Sequence, residues 1–246
     1  MKIVKKSFIK HACSASEAWI RRCIVLSIIP AVLGQSNEVV SPPYEPLIDR
    51  GLQMDLWARE PMLINPVALS FDDQGRLYVV ETARRGTVDI DIRAHKEWVK
   101  EDLGSVSIPR QIELFRKWMS PGNSRKNRPW LKDRNGDGSH DWRDLTTVKE
   151  RVHLIEDIDG DGLADKSRVF AEGFNRENNG AAAGVMPFAD HVYYTVYPDI
   201  WRLEDTDGDG VSDRNVSMFR GFGVHAAYDG HDIHGLTVGP DGKIYF

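Results

Sequence analysis

An Asp-rich pattern that returns at a fixed spacing constrains this 246-residue chain more than any other feature. Residues 153–174 (HLIEDIDGDGLADKSRVFAEGF) and 201–222 (WRLEDTDGDGVSDRNVSMFRGF) are offset by 48 residues and identical at 9 of 22 positions. A period of that size means one structural unit used more than once. A second repeat pairs Leu69-SFDDQGRLYV with Leu236-TVGPDGKIYF. Each has an apolar run, a turn centred on Gly75 or Gly242, then a basic residue, an aliphatic residue and a Tyr. That pattern predicts a β-hairpin. Val185-MPFADHVYYTVY reads as a third, more divergent copy. Hairpins and Asp-rich loops therefore alternate, and each Asp-rich loop is flanked by strand-like runs such as Ile200-WRL and Val216-SMF.

Four short strands per period is the sequence form of a β-propeller blade. The expected fold class is all-β: an incomplete β-propeller of about two and a half blades. Blade one covers 66–174, blade two 181–222, and a third starts near Gly235. Blade one is too long, and residues 84–148 hold the excess. There His95-KEWVKEDL and Pro109-RQIELFRKWM space Trp98, Leu103, Ile112, Phe115 and Met119 as on helices. A helical insertion is expected, with those residues as its packing face. Too few blades to close a propeller, and a strand-like run still open at Phe246, suggest the N-terminal part of a longer protein.

Three segments share one acidic spacing. They are Asp133-x-Asn135-x-Asp137-Gly138-x-x-Asp141, Asp157-x-Asp159-x-Asp161-Gly162-x-x-Asp165 and Asp205-x-Asp207-x-Asp209-Gly210-x-x-Asp213. Calcium takes several oxygen ligands, so a tight loop serves it by presenting carboxylates at alternate positions with Gly at the sixth. Position twelve of an EF-hand loop would be a bidentate acid; here it is Arg168 or Val216 in two loops and Asp144 in the first. The flanks read as strands, so the expectation is a calcium-loop hairpin rather than an EF-hand. The alternative is that Asp-Gly runs are plain turns.

The first 34 residues read as an address. Six basic residues and Glu17 precede or border an apolar run from Cys23 to Leu33, too short to span a bilayer as a helix. A signal peptide over 1–34 and a polar linker over 35–50 are expected, making the protein exported, periplasmic or extracellular, with no transmembrane helix in the mature chain. Cleavage removes both cysteines, Cys13 and Cys23, and takes the formal charge from -5 to -10. A disulfide scaffold and a four-cysteine zinc site are excluded. The acidic balance also argues against a nucleic-acid partner.

Residues 221–246 bring His225, His231 and His234 within ten positions. A neutral imidazole is a natural base for a hydroxyl proton. Asp232 adjoins His231, although neighbours on a strand point to opposite faces. A histidine metal site and plain loop histidines remain open alternatives.

His231-DIHGLTVGPDGKIYF resembles the active-site region of soluble glucose and aldose-sugar dehydrogenases, six-bladed propellers that use pyrroloquinoline quinone. Aligned on Gly239-Pro240-Asp241, that resemblance places the general base at His231. The family's neighbouring Asp falls on Gly230, with Asp232 as the available substitute. Over residues 50–246 the chain is more similar to the large membrane-bound-dehydrogenase-type proteins of planctomycetes and verrucomicrobia. The shared features are Asn135-GDGSHDWRDL, both Asp-Gly-Asp-Gly loops and Gly230-HDIHGL. The resemblance implies hydride transfer from a sugar or alcohol to the quinone, Ca2+ polarising the quinone carbonyl, and a c-type cytochrome as acceptor. The competing function is a calcium-stabilised propeller that binds a ligand without catalysis.

Overall fold

The computed structural model describes residues 2–8, 24–27, 51–226 and 233–246. Strand makes up 33% and helix 16% of the chain, the sheets are antiparallel, and the described helices all lie between residues 92 and 146. The protein is therefore all-β with a helical insertion. No helix among the described residues is long and apolar enough to cross a membrane.

The chain divides into two compact units. In the first, β1 (Lys2–Phe8) is the central strand of a three-stranded antiparallel sheet, between β2 (Ile24–Ser27) and β3 (Leu52–Arg59). Two described strands thus lie within the run read as an export signal; the 35–50 linker lies outside the described residues. Asp157–Lys166 belongs to this unit, and Ala164 donates its N–H to Trp57 O at 2.9 Å.

The second unit holds two four-stranded meanders. One runs β4 (Pro66–Phe71), β5 (Leu77–Glu81), β6 (Glu150–Glu156) and β7 (Lys166–Gly173). The other runs β8 (Ala182–Phe188), β9 (His191–Val196), β10 (Asp199–Glu204) and β11 (Arg214–Arg220). These strands fall where the repeats placed them. The first strands of the two sheets, β4 and β8, lie against each other. Both sheets feed one core: Tyr78, Val80, Leu154 and Phe170 from one, Val185, Val192, Tyr194 and Leu203 from the other. Alternation explains the contributions of β5 and β6, since residues two apart share a face. Because β5 is buried along its whole length, its other face is covered as well.

The turns follow from their residues. At β4–β5, Gly75 donates to Asp72 O at 3.0 Å with φ +81. A short third pair, β12 (Thr237–Val238) and β13 (Ile244–Tyr245), closes the same way: Gly242 donates to Gly239 O at 3.0 Å with φ +75. Glycine takes that left-handed geometry without a Cβ penalty. The divergent hairpin β8–β9 instead pairs Phe188 with His191, so its loop is only Ala189 and Asp190, both at positive φ. That is the backbone form favoured by two-residue hairpins.

Between β5 and β6 the insertion forms its own core. Its helices are α1 (Val99–Leu103), α2 (Ile108–Trp118) and α3 (Ser124–Asn127). Ser107 caps α2 by accepting from Arg110 N, and Pro109 sits in the first turn, where a missing N–H costs nothing. Gln111, Leu114, Phe115 and Trp118 make its buried stripe. Trp98 stacks on Trp118 with centroids 4.8 Å apart. Of the expected packing face, Trp98, Phe115 and Met119 are buried. Leu103, the last residue of α1, is 70% exposed instead.

One arginine ties this insertion to the sheets. Arg84 is wholly buried and donates to the carbonyls of Leu145 (2.6 Å), Val148 (2.9 Å), Asn179 (2.9 Å) and Arg176 (3.3 Å). Its own N–H goes to Glu150 Oε1 at 2.8 Å. Burial lowers the Arg84 pKa to about 10 and raises that of Glu150 to about 7. Glu150 also accepts from the Thr82 hydroxyl at 2.9 Å.

Candidate metal-binding loops and the histidine segment

The three acidic segments fold alike. The first Asp receives the N–H groups of the fourth and sixth residues. Asp133 takes Gly136 (2.7 Å) and Gly138 (2.9 Å); Asp157 takes Gly160 (2.8 Å) and Gly162 (3.0 Å); Asp205 takes Gly208 (2.7 Å) and Gly210 (2.9 Å). The third residue receives the fifth N–H: Asn135 from Asp137 (2.9 Å), Asp159 from Asp161 (3.1 Å), Asp207 from Asp209 (3.2 Å). The fifth receives the seventh: Asp137 from Ser139, Asp161 from Leu163, Asp209 from Val211, each at 2.8 Å. These are Asx turns in series, and they are possible because all six glycines sit at positive φ.

A closing acid then reaches back to the second N–H. In 157–165 it is Asp165, on Ile158 at 2.7 Å; in 205–213 it is Asp213, on Thr206 at 2.7 Å. A second bond from the Thr206 hydroxyl, the largest cause, holds the Asp213 pKa below its ordinary value. In the first segment the closing acid is Asp144, on Arg134 at 2.7 Å and Asn135 at 3.3 Å. Asp141, at the spacing of Asp165, does something else. It is fully buried, caps the 3-10 turn Trp142–Thr146 by accepting from Arg143 N, and pairs with the Arg143 guanidinium at 3.0 Å. Its own N–H goes to Asp144 Oδ2 at 2.9 Å. The Asp141-x-x-Asp144 capping-box spacing was the available sequence signal for this exchange.

Carboxylate oxygens of Asp157, Asp159 and Asp165 lie within 4.8 Å of one another, as do those of Asp205, Asp207 and Asp209. Asp161 and Asp213 are outside those triples but on the same loops. Such hard, anionic, alternating oxygens fit calcium chemically. Arg168, at position twelve of the second loop, bonds instead to Glu156 and to Asp209 O of the third.

His231 and Asp232 lie outside the described residues, which stop at Ala226 and resume at Ile233. Before them, Asp102 Oδ1 accepts from Ala226 N at 2.8 Å, and His225 Nδ1 lies 2.7 Å from Asp102 O. Burial raises the Asp102 pKa, opposed by its bonds to Ala226 and by His225. His225 O accepts from Gln111 Nε2 at 2.7 Å and from the Tyr197 hydroxyl. After them, Thr195 Oγ1 donates to Ile233 O at 2.7 Å. A Cβ on Gly184 would stand 2.8 Å from Thr195 Oγ1 and 3.6 Å from His234 Cα, so the glycine leaves room for this segment on β8 and β9.

The fold and these loops define an all-β protein of antiparallel meanders carrying serial acidic turns. The chain belongs to the family described as domain of unknown function DUF7133, whose profile matches residues 47–246. No curated protein and no solved structure matches it.

Proposed function

We propose that this chain binds calcium through its acidic loops and contributes calcium-pinned blades to a β-propeller of an exported protein. One observation carries the calcium reading: three loops of different surroundings repeat the same series of hydrogen bonds. Plain turns need one Asx bond, not four in fixed order followed by a fifth to a returning acid. Clustered carboxylates repel, at about 1 kcal/mol per pair at such distances in water, and a divalent cation reverses that sign. The loops carry no bidentate Glu, so millimolar to ten-micromolar affinity is expected. Two meanders joined face to face through β4 and β8, with a third hairpin following, support the propeller reading. The basic, then apolar, N-terminal sequence supports export.

A calcium titration followed by thermal unfolding tests this. Calcium raises Tm by several degrees and chelator reverses it. An unchanged Tm in excess chelator rules the reading out.

A second reading is favoured by the fastening of Ala226 and Ile233 on both sides of the histidine. Anchored flanks are what a site built on a connection between strands needs. Here His231, with Asp232 beside it, takes the hydroxyl proton of a sugar or alcohol. Pyrroloquinoline quinone supplies the hydride acceptor when bound, and a c-type cytochrome takes the electrons onward. No residue is assigned to the quinone, and the proton transfer is the one step drawn. The ligand-binding propeller without catalysis predicts the same calcium response and no dye reduction. Full-length protein with quinone, calcium and a sugar panel separates the two: His231→Ala abolishes turnover if His231 is the base, and absent turnover in wild type leaves the binding module.

A further inference from the structure

Charge is spread unevenly along this chain. The whole sequence has a formal charge of -5, yet residues 92–132 of the insertion hold ten basic residues against four acids. Those acids are engaged elsewhere. Glu101 pairs with Lys117 at 2.6 Å, Glu113 pairs with Arg110 at 3.0 Å, Glu97 faces His95, and buried Asp102 holds Ala226 N. Residues 121–132 carry four cations and no acid at all.

The backbone decides which way that segment faces. Helical bonding runs on past α3: Arg128 N donates to Ser124 O at 2.9 Å, and Trp130 N and Leu131 N donate to Asn127 O at 3.0 and 2.9 Å. Asn127 and Leu131, four apart, therefore share the inner side and are 1% and 2% exposed. The rest of 125–132 is exposed: Arg125, Lys126, Arg128, Pro129, Trp130 and Lys132. None of these four cations pairs with a carboxylate among the described residues. Trp130 is held firmly, its ring 4.4 Å from that of His95, which stacks on Trp98 at 3.8 Å. It still leaves 37% of its surface open. The Lys126 charge acts on the same His95, so a cation and the indole share this corner.

Three classes of anion meet basic surfaces, and this one suits the third. Lying in a lipid interface takes a broad apolar face, whereas only Pro129 and Trp130 are apolar here. Nucleic acid calls for several stacking platforms and a basic whole, whereas this acidic chain offers one indole. A polypeptide needs one rigid aromatic anchor beside guanidinium groups that grip carboxylates, and Trp and Arg are the residues that dominate protein interfaces.

We propose that the 125–132 face docks an acidic polypeptide segment, with carboxylates on Arg125, Lys126, Arg128 and Lys132 and an apolar side chain on Trp130. The proposal depends neither on the acidic loops nor on His231.

The test titrates a blocked pentapeptide, four glutamates around a central phenylalanine, into the full chain. NMR follows the Trp130 indole N–H, assigned by its loss in Trp130→Phe, so binding at the basic N-terminal residues does not register. Excess chelator throughout prevents calcium at the acidic loops from bridging the peptide. A saturable shift at roughly millimolar peptide is expected, weakened about tenfold or more by Lys126→Glu with Arg128→Glu and by about 1 M salt. The analogue with four glutamines should give none, an arm that needs no variant to fold. Four results each overturn the proposal: no saturable shift up to roughly 10 mM; an equal shift from the glutamine analogue; undiminished binding in a folded Lys126→Glu, Arg128→Glu protein; or a larger shift from phosphatidylglycerol vesicles or oligothymidylate at equal anionic charge, which would make the partner a lipid surface or a nucleic acid.

Discussion

Glu150 begins β6 with no exposed surface, and burial raises its pKa from 4.5 to about 7 despite bonds from Arg84, Thr82 and Ala182. Its folded pKa lies above the unfolded one. Between pH 4.5 and about 7 the unfolded carboxyl ionises while the folded one holds its proton. This group's contribution therefore falls as pH rises through that window, and the loss is complete above it. The ceiling is on the order of 3 kcal/mol. Urea unfolding should accordingly show a Glu150→Gln variant gaining on wild type between pH 5 and pH 8. A constant difference across that range would contradict the assignment. Neither Glu150 nor Arg84 stands out in the sequence, because an ordinary Glu or Arg becomes a buried hub only once packing has closed over it.

At the scale of elements, loop 133–144 separates two acids that look equivalent by spacing. Asp144 accepts three backbone N–H groups, from Arg134, Asn135 and Asp141, whereas Asp141 caps a single turn and pairs with Arg143. Asp144→Ala should cost about 2–3 kcal/mol and Asp141→Ala about 1 kcal/mol. In the calcium reading, Asp144→Ala also removes this loop's metal response, and Asp141→Ala keeps it. Thermal unfolding with and without calcium reads both effects, and equal losses would refute the exchange of roles. Local spacing offered two acids, Asp141 at position nine and Asp144 at position twelve, and the 3-10 turn that follows draws Asp141 away and leaves Asp144 to close the loop. The helices show a similar division. The cap at Ser107 and the apolar spacing mark α2, while Leu103 carries the same periodicity and, as the last residue of α1, is exposed.

Over the whole second unit, stability rests on the core shared by its two meanders. Leu203 is fully buried there, and Leu203→Ala should cost roughly 2–5 kcal/mol. Tyr194 lies in the same core, and its hydroxyl makes no hydrogen bond among the described residues. Tyr194→Phe should therefore be neutral or slightly stabilising, since it removes an unsatisfied polar group while keeping the ring. Denaturant midpoints for the pair decide the point: a large loss in Tyr194→Phe would mean that the hydroxyl has a partner. The strand content and the two four-stranded periods were legible because a repeat preserves both turn chemistry and alternation. The face-to-face joining of β4 to β8 was not, because contacts between sheets leave no local period.

The sequence by itself determined the hairpins, the acidic loops and the inserted helix α2, since each is written in residues a few positions apart. Asp-Gly spacing sets an Asx series, and Gly at the turns admits positive φ, whatever surrounds them. Tertiary structure alone decided which arginine is buried and how the chain is fastened at Ala226 and Ile233. Those outcomes depend on groups far apart in the chain: Thr195 with Ile233 across 38 residues, Arg84 with Glu150 across 66 and Asp102 with Ala226 across 124. Burial then sets what each polar group is worth: the same carboxyl that is ordinary in water becomes, under a closed core, a proton site near neutral pH.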